Sequence, residues 1–166
     1  MKTKALPSQE RLKEVLNYNP KTGDFTWIKK LSRKTKLGSI AGSLDGSYLA
    51  IRIDKKKYKV SRLAWLYMTG EDPGSSIVEH KDQNKTNNAW TNLRLANSSQ
   101  NNANINMFKH NTSGYKGVSQ SKNNPKYQAK IQYNKKCIYI GSYDTAEEAS
   151  EAYKVKAVEL FGEFAA

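Results

Sequence analysis

The chain places Glu79 and His80 side by side, with Asn92 and Asn101 a short way downstream. In type, these side chains match what phosphodiester hydrolysis needs: a nucleophilic water, a base to deprotonate it, and a cation at the leaving oxygen. A carboxylate and an amide oxygen are hard ligands of the kind a mostly hydrated Mg²⁺ accepts, which makes Glu79 and Asn101 candidate metal ligands. Imidazole titrates near neutrality, so His80 is the candidate base. Alone, the pattern stays open, because a single histidine can sit on any surface and asparagines commonly form turns.

The rest of the chain states what such a site would act on. Its 28 Lys and Arg outnumber 15 Asp and Glu, for a net charge of +13, and a field of that sign draws polyanions. From Gln83 to Tyr143 there is no Asp or Glu, while Lys85, Arg94, Lys109, Lys116, Lys122, Lys126, Lys130, Lys135 and Lys136 all fall there. A surface built only for solubility mixes the two signs. No apolar run approaches the roughly 20 residues that span a bilayer, so a membrane is not an expected partner. Met1 to Gln9 has lysines but no apolar stretch, and no signal peptide is expected. Cys137 is the only cysteine, which excludes an internal disulfide and a cysteine-based zinc site and leads us to expect no disulfide-linked partner. These readings predict a cytoplasmic protein with a phosphate-binding surface.

With 37% hydrophobic residues over 166 positions, two lean modules fit better than one large core. Ser8-Gln9-Glu10 before Leu12, Val15 and Leu16 predicts a short capped helix, stopped at Asn19-Pro20. Phe25 to Ile28 reads as a strand, and Tyr48–Ile53 and Lys57–Val60 as a hairpin around Asp54-Lys55-Lys56. Arg62 to Met68 is a helix with Gly70 past its end. Ile77-Val78 begins a strand that runs into Glu79-His80, Leu93 and Leu95 mark another, and Ser98 is placed as the cap of a following helix. A linker is expected at about residues 104–112. Beyond it, Tyr115–Ser119, Tyr127–Tyr133 and Lys136–Gly141 are strand candidates. Asp144-Thr145 with Glu147 and Glu148 caps a helix whose Ala146, Ala149, Tyr153, Ala157, Leu160 and Phe161 recur at helical spacing.

Val78-Glu79-His80-Lys81-Asp82-Gln83-Asn84-Lys85-Thr86-Asn87-Asn88, followed by Asn92-Leu93-Arg94-Leu95, resembles the HNH motif of phage and homing endonucleases. Asn17 to Gly23 and Arg62-Leu63-Ala64-Trp65 resemble the lead-in of that family, so the likeness covers roughly residues 10–106. It implies a ββα-metal fold holding a divalent cation, Mg²⁺ by preference. It implies Glu79 and Asn101 as metal ligands, His80 as general base, Asn92 as the residue that holds the hairpin loop and orients His80, and Arg94 on a DNA phosphate or a structural carbonyl. Two positions depart from the family. Glu79 replaces an Asp, and a misplacement of about 1 Å can cost about a hundredfold in rate, so weakened activity is expected. Ser61 replaces a supporting His.

Residues 112–164 resemble the APETALA/ethylene-response-factor DNA-binding domain. The likeness rests on Ser113 to Val118, Lys126 to Ile131, Tyr139 to Ala149 and Phe161-Gly162-Glu163-Phe164. Such domains lay a three-stranded sheet in the major groove. The matching contact positions are Lys116, Ser119, Ser121, Lys130, Gln132 and Tyr139. Lysine and serine replace several arginines of the family, which implies less selective base reading.

The expected architecture is therefore α+β: an HNH nuclease domain over residues 1–106 with its core motif at 77–103, then a three-stranded antiparallel sheet packed on one helix over 107–166. The expected function is a metal-dependent DNA endonuclease of the phage, homing type, in a bacterial host cell. The alternative is a non-catalytic DNA-binding protein with a decayed HNH site.

Overall fold

The computed structural model describes residues 5–104, 111–120 and 125–165. These residues form two compact units, Met1–Ala96 and Asn97–Ala166. Both are mixed α and β, and every sheet is small and antiparallel.

In the first unit, the Ser8 side chain accepts from Arg11 N at 3.1 Å and starts α1 (Gln9–Val15). Helix α1 buries Leu12 and Val15. The chain then enters β1 (Leu16–Tyr18), paired with β2 (Phe25–Trp27). The three-stranded sheet that follows runs β3 (Ser43–Asp45), β4 (Tyr48–Ile53) and β5 (Lys56–Lys59) in spatial order. Asp54 and Lys55 both take positive φ between β4 and β5, the two-residue turn whose twist suits a hairpin. Arg11 grips Asp54 through two hydrogen bonds of 3.0 and 2.8 Å, fastening α1 to that turn. Helix α2 (Val60–Thr69) buries Val60, Leu63, Ala64 and Leu66, and ends on Gly70 in the left-handed region at φ 80°. Leu12, Leu16, Phe25, Ile51, Ile53 and Leu63 form the center of the core. One edge of that core is closed by Val78 of β6 (Ile77–His80) and Leu93 of β7 (Leu93–Ala96).

The second unit begins with α3 (Ser98–Asn104) and continues with β8 (Val118–Gln120), β9 (Tyr127–Tyr133), β10 (Lys136–Tyr143) and α4 (Ala146–Phe161). The sheet order is β10-β9-β8. Helix α4 starts on a capping box between Thr145 and Glu148, and buries Ala146, Ala149, Tyr153, Ala157 and Phe161. Small alanines let it approach the sheet closely. At Gly117, φ +72°, an added Cβ would overlap the Tyr153 ring.

Several elements differ from expectation. Leu16–Tyr18, expected to lie ahead of the helix stop at Asn19-Pro20 with Leu16 in the helix, is a strand, and Ser43–Asp45 is a further short strand. The strand expected from Tyr115 starts only at Val118. Asn111 Oδ1 accepts from Ser113 N and Gly114 N, and Ser113 Oγ lies 2.8 Å from Val118 O, so side chains hold this stretch as a turn. Helix α3 is capped by Asn97 rather than Ser98: Asn97 Oδ1 accepts from Gln100 N at 2.9 Å, and Gln100 Oε1 accepts from Asn97 N at 2.8 Å. The compact units divide after Ala96, ahead of the expected 106/107 boundary, because α3 makes its contacts with α4 and the Gly162–Phe164 turn. The expected linker falls largely on 105–110, outside the described residues.

Candidate functional site

The β6–β7 hairpin brings four of the candidate residues together: Glu79, His80, Asn92 and Arg94. Glu79 lies directly across the ladder from Arg94, and His80 from Leu93. Asn92 ends a 3-10 turn (Trp90–Asn92) that feeds β7. Successive strand residues face opposite sides, and Glu79 and His80 enter different surroundings.

His80 is 5% exposed, unusual for a titratable ring. Its Nε2 sits 3.1 Å from Asn88 Oδ1. Asn88 Nδ2 donates to Thr86 O at 3.0 Å, which leaves Oδ1 as the atom facing the ring. An amide oxygen only accepts, so Nε2 carries the proton and Nδ1 of the neutral ring carries the lone pair. Burial pushes the His80 imidazole below its ordinary value, against the Asn88 hydrogen bond and the Asp82 charge, and with help from Lys59 and Lys85. Together these effects favor the neutral imidazole.

Asn88 is itself held from far away in sequence. Tyr18 Oη donates to Asn88 O at 2.7 Å, and Trp90 N donates to Pro20 O at 2.9 Å. Burial pushes the Tyr18 phenol up to about 12, so it remains a donor. Gly23, at φ +82°, lets the 19–24 turn lie against the backbone of Asn88 and Ala89, where any Cβ would overlap. This is the structural use of the lead-in stretch Asn17–Gly23.

Asn92 ties the loop between the strands. Its Nδ2 donates to Asp82 Oδ1 at 2.9 Å and Asn87 O at 2.8 Å, and its Oδ1 accepts from Asp82 N at 3.1 Å. Asp82 also accepts from Asn84 N and Asn87 Nδ2. Burial pushes the Asp82 carboxyl up, but the hydrogen bonds from Asn87, Asn92 and Asn84 outweigh it and leave it below the usual carboxylate range.

Glu79 is buried and its carboxylate forms an ion pair with Arg94 Nε. Arg94, expected on a phosphate or a carbonyl, has a side chain only 11% exposed, with its Nε on Glu79 across the hairpin. No His, Cys, Asp or Glu cluster of three exists among the described residues. A carboxylate with amide and water oxygens is a donor set for a hard divalent ion, not for zinc, so Glu79 fits such an ion in chemistry while sharing its charge with Arg94. Asn101 lies on α3, within the second unit.

In the second unit, Lys130 and Gln132 alternate with buried Ala129 and Ile131. Ladder partners share a face, and Tyr139 pairs with Lys130, Cys137 with Gln132, and Ser119 with Gln128. Ser119, Lys130, Gln132 and Tyr139 are therefore presented together and exposed, opposite the face that α4 covers. Lys116 is not with them. Its Nζ donates to Ala103 O in the last turn of α3, and burial pushes its ammonium below the ordinary value. A lysine there satisfies an orphan carbonyl and complements the helix dipole. Ser121 lies outside the described residues.

Sequence reading passed over Asn88, Lys59 and Tyr48. Asn88 stood inside the motif, but nothing in its spacing distinguishes it from its neighbor Asn87.

The HNH endonuclease family model matches residues 58–103, which includes β6, β7 and most of α3. Escherichia phage T7 Protein 3.8 is 34% identical over 114 residues, covering 67% of this chain and 93% of that protein. An HNH endonuclease of Acanthamoeba polyphaga mimivirus is 39% identical over 118 residues, 70% of this chain. The chain belongs to the HNH endonuclease family. It spans 60% of the mimivirus relative's length. The HNH chain also carries an APETALA-like C-terminal third: an ethylene-responsive transcription factor of Arabidopsis thaliana is 37% identical over 57 residues, 33% of this chain and 13% of that protein. No solved structure matches the HNH chain significantly. Among the described residues, no helix is long and apolar enough to cross a membrane.

Proposed function

We propose that this protein is a metal-dependent DNA endonuclease that hydrolyses phosphodiester bonds and is directed to duplex DNA by its C-terminal sheet. The observation that carries this reading is the buried, neutral His80, whose Nε2 proton is fixed on Asn88 Oδ1. Nδ1 would take the proton from the attacking water, a role that general-base histidines fill at a gain of about 10²–10⁴ in rate. Asn88 and Asn92 are positioning residues: the first orients the ring, and the second fixes the loop that carries Asn88. Glu79 and Asn101 would hold the divalent cation, Mg²⁺ by preference, which when bound supplies charge stabilisation at the leaving oxygen. Ser119, Lys130, Gln132 and Tyr139 would read the groove, with Gln132 suited to adenine and Lys130 to guanine or phosphate. The functional modules remain 1–106 and 107–166, since the motif at 77–103 runs into α3. A homing role in a phage or mobile element accords with the phage and viral relatives.

The Arg94–Glu79 ion pair supports a second reading, a DNA-binding protein whose nuclease site no longer accepts a cation. Cleavage of supercoiled plasmid in Mg²⁺ and in EDTA separates the two. The first reading expects metal-dependent nicked or linear product, raised in Glu79→Asp. Intact plasmid with every form, alongside retained DNA binding, would establish the second.

A further inference from the structure

Beside His80 lies a cationic cluster that neither the HNH motif nor the C-terminal sheet explains. Three separate segments build it. Tyr48 opens β4, Lys59 ends β5, and Lys85 comes from the β6–β7 loop. Lys59 Nζ stands 3.8 Å from the centroid of the Tyr48 ring, and Lys85 Nζ stands 5.1 Å from the same centroid. Lys85 also reaches Ser47 Oγ at 3.4 Å. The Tyr48 and His80 rings are 6.4 Å apart, and both lysine charges are felt at His80.

This arrangement is electrostatically unfavorable without an anion. Two like charges share one aromatic ring. Lys59 is also the N-cap of α2, which has no acidic residue in its first turn and no side-chain cap. A cation at that end opposes the helix dipole. Among the described residues, neither lysine lies within ion-pair distance of a carboxylate, whereas nearby Lys57 is paired with Asp45 at 3.0 Å. Asp82, the acidic group facing His80 from the same loop, is taken up by Asn84, Asn87 and Asn92. Attraction to the ring face offsets part of the repulsion and restrains two long side chains.

We infer that Lys59 and Lys85, held over Tyr48, form a clamp for a DNA backbone phosphate next to the one His80 addresses. The clamp rests on the nuclease reading for the identity of its ligand, but it can fail separately. Its lysines supply point charges to phosphate oxygens, and Tyr48 supplies the platform that keeps those charges at a fixed distance from the base. Lys59 and Lys85 are thus binding residues, and Tyr48 is a positioning residue.

The test uses the full chain carrying His80→Ala, so that binding to a duplex oligonucleotide is read without cleavage. Fluorescence anisotropy across a salt series gives the slope of log affinity against log salt. Each phosphate contact contributes about 0.9 to that slope. Lys59→Gln with Lys85→Gln should lower it by roughly 0.9, for the one phosphate they share, and weaken binding on the order of fivefold at about 0.15 M salt. Lys59→Arg with Lys85→Arg should restore it, because the charge is kept. Lys154→Gln with Lys156→Gln, on α4, should leave it unchanged. In the His80 form, Tyr48→Leu should lower kcat more than it raises KM, which simple loss of binding would not do. A slope unchanged in the double Gln variant, with the thermal unfolding profile intact, overturns the clamp. If no form cleaves but the slope falls, the clamp stands as a DNA contact and the nuclease reading is what fails.

Discussion

The β6–β7 hairpin and the β8–β9–β10 sheet hold their candidate functional side chains in opposite ways. On the hairpin, Glu79, His80 and Asn88 are all buried, at 4%, 5% and 2% exposure, and each is fixed by a named partner. On the sheet, Ser119, Lys130, Gln132 and Tyr139 stand exposed on one face, and only the strand ladder determines where they point. The bond chemistry proposed for the hairpin needs a base in one tautomer and one position, and the supports around His80 reach back to Tyr18, Pro20 and Gly23. Reading a surface needs side chains that can adapt to a groove, and a regular pleat supplies them without dedicated supports. The hairpin should therefore respond to substitution through stability and rate together, and the sheet through affinity alone.

The sharpest way to break this contrast is Arg94→Ala. It removes the guanidinium paired with the buried Glu79 carboxylate, and a broken buried ion pair typically costs about 3–5 kcal/mol. Chemical denaturation of the metal-free protein should show that loss, and a variant as stable as the parent would mean the pair is dispensable. Asn88→Ala should cost about 1–3 kcal/mol by leaving the Nε2 proton of His80 without its amide acceptor. The His80 ring signals in NMR should also lose their single tautomer. On the sheet, Gln132→Ala should leave the melting temperature in place and relax discrimination at one base pair by about 1–3 kcal/mol, measured by competition between duplexes. Lys116→Met sharpens the comparison from within the same unit. It should change stability while leaving the salt dependence of binding unaltered, because Lys116 serves α3.

The smallest effect concerns pH. The Asp82 carboxyl lies below its ordinary value of 3.8 in the folded chain. Its contribution is therefore complete above about 3.8 and is lost as pH falls through the lower folded value. Amide signals from 82 to 92 should shift in that acidic window, ahead of those of β9, which carries no carboxylate. Simultaneous loss of both sets would mean that the loop has no separate dependence on Asp82.

Where local pattern decides structure, the sequence was legible. The alternation of Tyr127 to Tyr133 names the exposed face, the Thr145–Glu148 pair names the start of α4, and Gly70 marks the end of α2. Less was legible where two residues offer the same local chemistry. Asn97 and Ser98 are both good helix caps, and only the reciprocal bond to Gln100 selects Asn97. Asn87 and Asn88 are alike in sequence, and the choice between them comes from Tyr18 and Gly23, far back in the chain. Lys116 carries the charge of a DNA contact, but its direction is set by the Asn111–Ser113 turn and the end of α3. The motif could be identified by its resemblance to a known family, whereas what buries and orients its members comes from long-range packing.

The central claim is that bond chemistry resides in the hairpin and can be removed without touching recognition. One measurement addresses it directly: plasmid cleavage in Mg²⁺ and duplex affinity, followed on the same samples of parent and His80→Ala protein. The expected result is a fall in cleavage of about 10²–10⁴ in His80→Ala, with affinity and its salt dependence unchanged. His80→Ala protein that cuts as fast as the parent would contradict it, and so would cleavage and affinity falling in parallel.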